Sequence, residues 1–218
     1  MNVLGFDTST AAASACVLRS DGEAFEAEPP VERLFKPPAH ASELMPAVDR
    51  VMRAAGLGFG DLDALAVGIG PGGFTGLRIG IATAHGIALG SGLPLHPVSS
   101  LAALAAGIEA DAALPLIDAR RGEVYGALPG GRPFVTSPAE AAARAPAGAL
   151  AAGDGSIRFR ETLEAAGIRV APGDSRMHVV RGLYICRLAA AVQPAPPESV
   201  VPCYLRAPDA KPPSRSGA

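Results

Sequence analysis

The sequence predicts an α/β fold built from two related halves, and two observations support this. An apolar run at residues 64–69 is followed by a glycine-rich segment, 70–76, and a helix-patterned stretch, 77–89. This is the order strand, loop, helix. Farther along, residues 114–118 repeat the apolar-strand-then-aspartate pattern of residues 4–7. The repeat lies near the middle of the 218 residues, so it favours a duplicated α/β protein.

In the first half, an apolar strand ends at Asp7, and residues 14–18 read as its hairpin partner. Residues 23–38 are rich in proline and charge, which predicts an irregular connection. A helix is predicted over 42–55, because apolar residues recur at helical spacing between a capping serine and a stop glycine. The pattern then predicts the strand 64–69, the helix 77–89, a strand at 95–98 and a helix at 101–106.

In the second half, residues 123–128 are predicted to form the strand that corresponds to the hairpin partner 14–18 of the first half. Ser137-Pro138-Ala139-Glu140 has capping-box spacing with proline at the first helical position. The remaining pattern predicts a strand at 149–152, a turn at 153–155, and helices over 160–166 and 179–192. The tail, 207–218, is rich in proline, serine and lysine and is expected to be disordered.

Composition narrows the class of protein. The formal net charge is −2 and the arginines are scattered, so direct binding of nucleic acid through a basic stripe is not expected. Cys16, Cys186 and Cys203 form no CxxC pair, which argues against a disulfide framework or a cysteine zinc site and fits a reducing cytoplasm. The start has no basic leader, and residues 79–95 are interrupted by His85 and glycines, so neither export nor membrane insertion is expected.

The glycine-rich loop is typical of an anion site, because its backbone can approach a ligand and the following helix presents unpaired N–H groups. Lys36 and Lys211 are the only lysines, so the loop lacks the lysine of a P-loop, and GxGxxG spacing is absent. A strand-to-helix turn without a ligand is the alternative. Asp7, followed by three hydroxyl-bearing residues, can orient a metal-bound phosphate or can simply cap its own turn. Arg120 and Arg121 can bind an acidic group or form a solvated hairpin tip.

The helix after the loop carries small residues at Gly80, Ala84 and Ala88. This stripe implies close packing, either against the helices of a partner or against the protein's own sheet.

The four histidines, His40, His85, His96 and His178, are isolated in the sequence. Without HxxxH, HExxH or GxSxG spacing, a metallopeptidase or a serine hydrolase is not expected.

Six segments, in order along the chain, together resemble the TsaB (YeaZ) family, the bacterial partner subunit in threonylcarbamoyladenosine modification of transfer RNA. The chain departs from that family at Gly73, where serine is usual. The six segments are His40–Pro46, Ile69–Gly80, Pro97–Leu101, Ile117–Tyr125, Gly153–Gly155 and Pro202–Arg206.

The resemblance implies a two-lobed fold of the actin, Hsp70 and sugar-kinase (ASKHA) type with duplicated mixed-sheet halves. The lobes would be residues 1–107 and 108–206, followed by the tail 207–218. It also implies a noncatalytic scaffold or activator that pairs with the transferase TsaD and with TsaE, in the cytoplasm, and reaches tRNA only through that complex. A small-molecule phosphotransferase of the same superfold is the alternative.

The resemblance implies no catalytic residue, no metal site and no intrinsic cofactor, with ATP or ADP as a ligand in the complex. It implies a partner surface that also forms a weak homodimer in isolation, which TsaD displaces. The expected nucleotide-binding residues are Asp7, Thr8, Ser9, Gly70, Gly72, Gly73 and Thr75. The expected interface residues are His40, Glu43, Leu44, Arg78, Gly80, Ala84 and Ala88.

Overall fold

The first of two mixed five-stranded sheets occupies the N-terminal half of the computed structural model, which describes residues 1–206. The predicted tail, 207–218, lies outside the described residues. The strand order is β3-β2-β1-β4-β5, with β2 antiparallel to both β1 and β3, and with β4 parallel to both β1 and β5. These strands are β1 (Val3–Asp7), β2 (Ser14–Leu18), β3 (Ala24–Ala27), β4 (Ala64–Gly68) and β5 (Leu95–Val98).

The second sheet repeats this arrangement in the order β10-β9-β6-β7-β8. Its central strand β6 pairs antiparallel with β7 and parallel with β9, as β1 pairs with β2 and β4. The predicted duplication of an α/β half is therefore confirmed. The strands are β6 (Ala113–Arg120), β7 (Glu123–Gly126), β8 (Phe134–Thr136), β9 (Leu150–Ala152) and β10 (Arg169–Val170).

Seven α-helices lie among the described residues, and most follow the predicted periodicity. The helix expected over 42–55 spans 40–55, and the helix after the glycine loop begins at Phe74 rather than at residue 77. They are α1 (His40–Ala55), α2 (Phe74–Ser91), α3 (Ser100–Ala106), α4 (Pro138–Arg144), α5 (Asp154–Arg158), α6 (Arg160–Ala165) and α7 (Gly182–Ala189). No helix among residues 1–206 combines the length and apolar character needed to cross a membrane.

The expectation of an irregular connection over 23–38 is wrong. The segment begins with the edge strand β3, which pairs with β2 from Ala24 opposite Leu18 to Ala27 opposite Ala15. It continues with a 3-10 turn at Val31–Phe35, whose Val31 and Leu34 side chains are buried. Proline interrupts the segment only after the strand has ended, so the compositional signal reflects the turn and not the whole stretch.

Some helices pack against the sheet formed by the other half of the chain. On one face of the first sheet, α1 and α2 cover a core that contains Phe6 and Leu65. On the other face lies α7, which comes from the second half of the sequence, together with α3. Since α3 also contacts β6, one buried cluster contains Leu104 of α3, Ile185 of α7 and Ile117 of β6. The two sheets are thus joined through shared apolar packing.

Candidate functional site

The glycine loop that joins β4 to α2 packs on the turn between β1 and β2. The Gly73 N–H donates to the carbonyl oxygen of Ser9 at 2.7 Å, and the Thr8 hydroxyl donates to the carbonyl oxygen of Gly76 at 2.8 Å. A Cβ atom at Gly72 would overlap the Ser9 backbone, and one at Gly76 would overlap the Thr8 carbonyl. These two glycines are therefore required by a close approach of the protein's own backbone.

Asp7 is 1% exposed at the end of β1, and its carboxylate is held by internal donors. Oδ1 accepts the N–H and the hydroxyl of Ser9 at 2.8 and 2.6 Å, and Oδ2 accepts the Ser100 hydroxyl at 2.5 Å. The Gly70 N–H donates to that same Ser100 oxygen at 3.0 Å. Burial raises the pKa of Asp7, and the hydrogen bonds from Ser100 and Ser9 oppose the rise. Asp7, at the end of β1, thus binds Ser100 at the start of α3, and through Ser100 it is connected to the glycine loop.

A cavity of about 530 Å³ separates the glycine loop from the β6–β7 hairpin and forms the cleft between the two halves. Of the expected nucleotide-binding residues, the cleft is lined by Ser9, Gly72, Gly73 and Thr75. Asp7, Thr8 and Gly70, which were also expected to bind nucleotide, do not line the cleft: Asp7 and Thr8 are buried beneath the glycine loop, and Gly70 is a buried residue of the loop itself.

His40, at the start of α1, lines the same cleft although it is buried. Its Nδ1 atom has no hydrogen-bond partner within the part of the chain that the structure describes. Burial lowers the pKa of His40, and the nearby guanidinium of Arg33 lowers it further. The imidazole is therefore neutral at neutral pH.

The opposite wall of the cleft carries Arg120 and Arg121 on the β6–β7 hairpin, and Arg158 of α5 lines a neighbouring cavity of about 300 Å³ together with Arg120, Asp118 and Asp154. Arg120 and Arg121 have φ angles of 62° and 55°, in the left-handed region that non-glycine residues adopt only at a cost. Asp118 accepts the Arg120 N–H at 2.8 Å, and its other oxygen lies 3.3 Å from Arg120 Nη1 and 3.6 Å from Arg158 Nη1. The side chains of Arg120 and Arg158 are more than half exposed, at 69% and 55%. The sequence offered no signal for Arg158.

Asp154, at the first position of α5, faces the cleft next to Asp118 and accepts the Asp118 N–H at 2.9 Å. Burial raises the pKa of Asp154 from 3.8 to about 6, and the charge of Asp118 contributes to the rise. Within residues 1–206, no group of three or more His, Cys, Asp or Glu side chains is placed to hold a metal ion. The cleft is therefore a mixed site of two carboxylates and exposed arginines.

We expect the raised pKa of Asp154 to make folding pH-dependent. The folded chain binds this proton more tightly than the unfolded chain, so the contribution of Asp154 to the free energy of unfolding falls as the pH rises from about 4 to about 6. A shift of this size corresponds to about 3 kcal/mol. Denaturant titrations across this range should show Asp154→Asn gaining stability relative to the parent chain as the pH rises. The exposed Asp174→Asn serves as control, and parallel pH profiles for all three proteins would contradict the assignment.

Most of the expected interface residues are buried. Leu44, Ala84 and Ala88 belong to the core of the first sheet, and Gly80 lies against the Thr8 side chain. Of the two alternatives for the small-residue stripe, packing on the protein's own sheet is the one observed. These four residues, expected at the partner surface, therefore face the protein's own interior, and His40, also expected there, is buried and lines the cleft.

Glu43 and Arg78 remain accessible among the expected interface residues. Glu43 accepts the Arg33 Nε at 2.9 Å, and the Arg78 guanidinium lies 3.8 Å from the centre of the Phe74 ring. The outer face of α1 and α2 instead presents Met45, Ala82 and Leu89 to solvent, with Leu89 74% exposed.

Comparison with known proteins relates these features to other chains. Residues 37–134 match the family described as TsaD, tRNA N6-adenosine threonylcarbamoyltransferase. The chain is 38% identical over 129 residues to the tRNA threonylcarbamoyladenosine biosynthesis protein TsaB of Haemophilus influenzae, covering 57% of this chain and 52% of that protein. The corresponding protein of Escherichia coli is 41% identical, with 57% and 53% covered. The match thus spans about half the length of these two relatives.

Two further similarities extend along nearly the whole chain. An uncharacterized protein of Mycobacterium tuberculosis is 36% identical over 211 residues, which are 96% of this chain and 94% of the relative. The solved structure of YeaZ from Pseudomonas aeruginosa superimposes with a TM-score of 0.76 at 28% identity, covering 94% of this chain and 99% of that one. The ASKHA-type arrangement of two mixed sheets is therefore shared with that structure.

Proposed function

The chain belongs to the TsaB (YeaZ) family, and from this premise we propose that it is a noncatalytic subunit in tRNA threonylcarbamoyladenosine biosynthesis. In this proposal it pairs with TsaD, and with TsaE, and contributes to modification of the adenosine beside the anticodon in tRNAs that read codons beginning with A. The printed names of the Haemophilus and Escherichia relatives support the process. The match of residues 37–134 to the TsaD family supports a subunit that is related to its partner.

The observation that supports the noncatalytic role is that the Asp7 carboxylate is buried and hydrogen-bonded within the protein. In the alternative function, a phosphotransferase, this carboxylate would need to reach a metal-bound phosphate. Instead, three internal donors hold its oxygens, and the glycine loop covers it. The glycines of the loop are likewise used to pack on the Thr8–Ser9 turn. These contacts favour a scaffold over a phosphoryl-transfer centre.

For the partner surface we propose the outer face of α1 and α2, in place of the buried stripe. Met45 of α1 and Leu89 of α2 are large apolar side chains in contact with solvent, and the exposed Ala82 and Gly86 of α2 leave room for a helix to approach closely. Arg78 and the exposed Phe74 lie at the glycine-loop end of α2. Aromatic, arginine and methionine side chains are enriched at protein interfaces. The same face would pair two copies of the chain when TsaD is absent.

We also propose that ATP or ADP is a ligand of the cleft in the complex. The exposed Arg120 side chain on the β6–β7 hairpin offers a guanidinium group that can pair with phosphate oxygens. The helix α2 begins on the opposite wall, where its N-terminus favours anions. Calorimetry with ATP and ADP, with and without TsaD, tests this ligand.

A reconstitution tests the function. TsaD, TsaE and the enzyme that makes the threonylcarbamoyl adenylate are combined with tRNA, with and without this chain, and the modified nucleoside is measured by mass spectrometry. We expect modification to depend on the chain. The variant Ala165→Arg, which changes an exposed alanine of α6 far from the proposed partner surface, should support modification as the parent chain does. Equal modification in the absence of the chain would refute the proposed function.

A further inference from the structure

The C-terminal segment 200–206 contacts the first half of the chain along the glycine loop and α2. The Cys203 N–H donates to the carbonyl oxygen of Ile69 at 2.8 Å. The Tyr204 ring stacks on Phe74 with 5.5 Å between the ring centres, and the Tyr204 hydroxyl accepts the Arg78 Nε at 3.1 Å. The segment is therefore attached to the wall of the cleft that the glycine loop forms.

Two residues farther on, the same segment contacts the second half. The Arg206 guanidinium donates to the carbonyl oxygen of Ala119 at 2.9 Å and forms an ion pair with Glu123, both on the β6–β7 hairpin. Tyr204 and Arg206 both line the cleft. Residues 203–206 thus bridge the two walls of the cleft.

The connections between the halves differ in kind. At α3 and α7 the sheets share a buried apolar cluster, in which Leu104, Ile117 and Ile185 are at most 1% exposed. A smaller apolar cluster joins Val31 and Leu34 of the first half to Val179 of the second, and Arg176 and Arg181 pair with Glu26 and Glu28. Across the cleft, the link through Arg206 is polar, and the side chains of Arg206 and Glu123 are 24% and 40% exposed. Partly exposed ion pairs are weakened by solvent and salt, whereas the buried cluster cannot separate without exposing apolar surface. The link through Arg206, which lines the cleft, can therefore break while both apolar clusters stay packed.

We propose that residues 203–206 form a clasp that holds the cleft closed, and that release of Arg206 from the β6–β7 hairpin lets the two sheets open about the two apolar clusters that join the halves. Such an opening is a hinge motion in which the apolar packing between the halves stays in place while the cleft widens. The clasp sets access to the 530 Å³ cleft whatever ligand occupies it. It extends the function proposed above and does not depend on it.

The experiment measures the separation of the halves by pulsed electron paramagnetic resonance. Nitroxide labels are placed at Ala54→Cys on α1 and Glu161→Cys on α6, both exposed, in a Cys203→Ser background. Cys16 and Cys186 are buried and remain unlabelled. Arg206→Gln and Glu123→Gln should lengthen and broaden the label distance by several ångströms. The control Arg19→Gln removes an arginine that pairs with Asp21 and Glu23, away from the cleft, and should leave the distance unchanged.

A second variant keeps the test decisive if Arg206→Gln folds poorly. Glu123→Cys combined with Arg206→Cys, again in the Cys203→Ser background, allows the two positions to be joined by a bifunctional methanethiosulfonate reagent, a cross-link that reduction removes. Amide hydrogen exchange in residues 72–76 and 117–121 should be slower in the cross-linked form and faster after reduction. Label distances in Arg206→Gln equal to those in Arg19→Gln would overturn the proposal. So would faster exchange confined to residues 200–206, because the segment would then be a tether that does not govern the cleft.

Discussion

Arginine in place of Ala84 should prevent the chain from folding. Ala84 is fully buried on the inner face of α2, in the core that includes Leu65 and Ile81. Overpacking such a site costs about 1–3 kcal/mol, and an unpaired buried charge adds several kcal/mol more. Because a domain is stable by only about 5–15 kcal/mol in total, we expect no cooperative melting transition and little soluble protein. Circular dichroism melting curves provide the measurement.

The matched control lies two residues earlier on the same helix. Ala82 is exposed, so Ala82→Arg should change the free energy of unfolding by less than about 0.5 kcal/mol. It should also stop co-purification with TsaD, because a helix cannot close over the added charge. An Ala84→Arg variant that melts like the parent chain would place Ala84 outside the core. An Ala82→Arg variant that still binds TsaD would remove the outer face of α2 from the proposed partner surface.

Alanine in place of Gly76 should also be strongly destabilising, although it adds a single methyl group. The new Cβ would overlap the Thr8 carbonyl oxygen and lie 2.8 Å from His40 Nε2. The Thr8 backbone cannot easily retreat, since its own side chain is hydrogen-bonded to the carbonyl of Gly76 at 2.8 Å. We expect a loss of about 1–3 kcal/mol, measured by denaturant unfolding.

Gly86, ten positions farther along α2, supplies the opposite case. A Cβ atom there meets nothing within 4 Å. Gly86→Ala should therefore stabilise the chain by about 0.5–1 kcal/mol, because alanine loses less backbone entropy in a helix interior. If Gly76→Ala also stabilised the chain, helix propensity would outweigh the contact between the glycine loop and the Thr8 turn. That result would contradict the packing described for the loop.

The small residues of α2 show where sequence reasoning succeeds and where it stops. The spacing of Gly80, Ala84 and Ala88 indicated a close approach, and the structure contains one. The pattern could not say what approaches, since a sheet and a partner helix both require small side chains at that spacing. The position of α2 over β1 and β4 shows that the sheet, and not a partner helix, packs against the stripe.

Asp7 and Asp118 show the same limit for the site. Both follow an apolar run, and both lie near the end of the central strand of their sheet. Asp7 is covered because the residues after it pack under the glycine loop, whereas Asp118 is followed by a left-handed arginine turn that faces the cleft. Burial of this kind depends on contacts between segments far apart in sequence, which local pattern does not contain. The fold was accordingly easier to predict than the residues that line the cleft.

The exchange of helices between the two sheets has a consequence for how the chain folds. A fragment ending before β6 would keep the first sheet but leave the face beneath α7 uncovered, with Val3, Ala64 and Ala66 in water. The remaining fragment would carry α7 without the sheet on which it packs. Neither piece has a complete core, so the halves acquire stability together and the chain should unfold in a single cooperative step. Duplication in this protein has produced one folding unit from two copies of a motif.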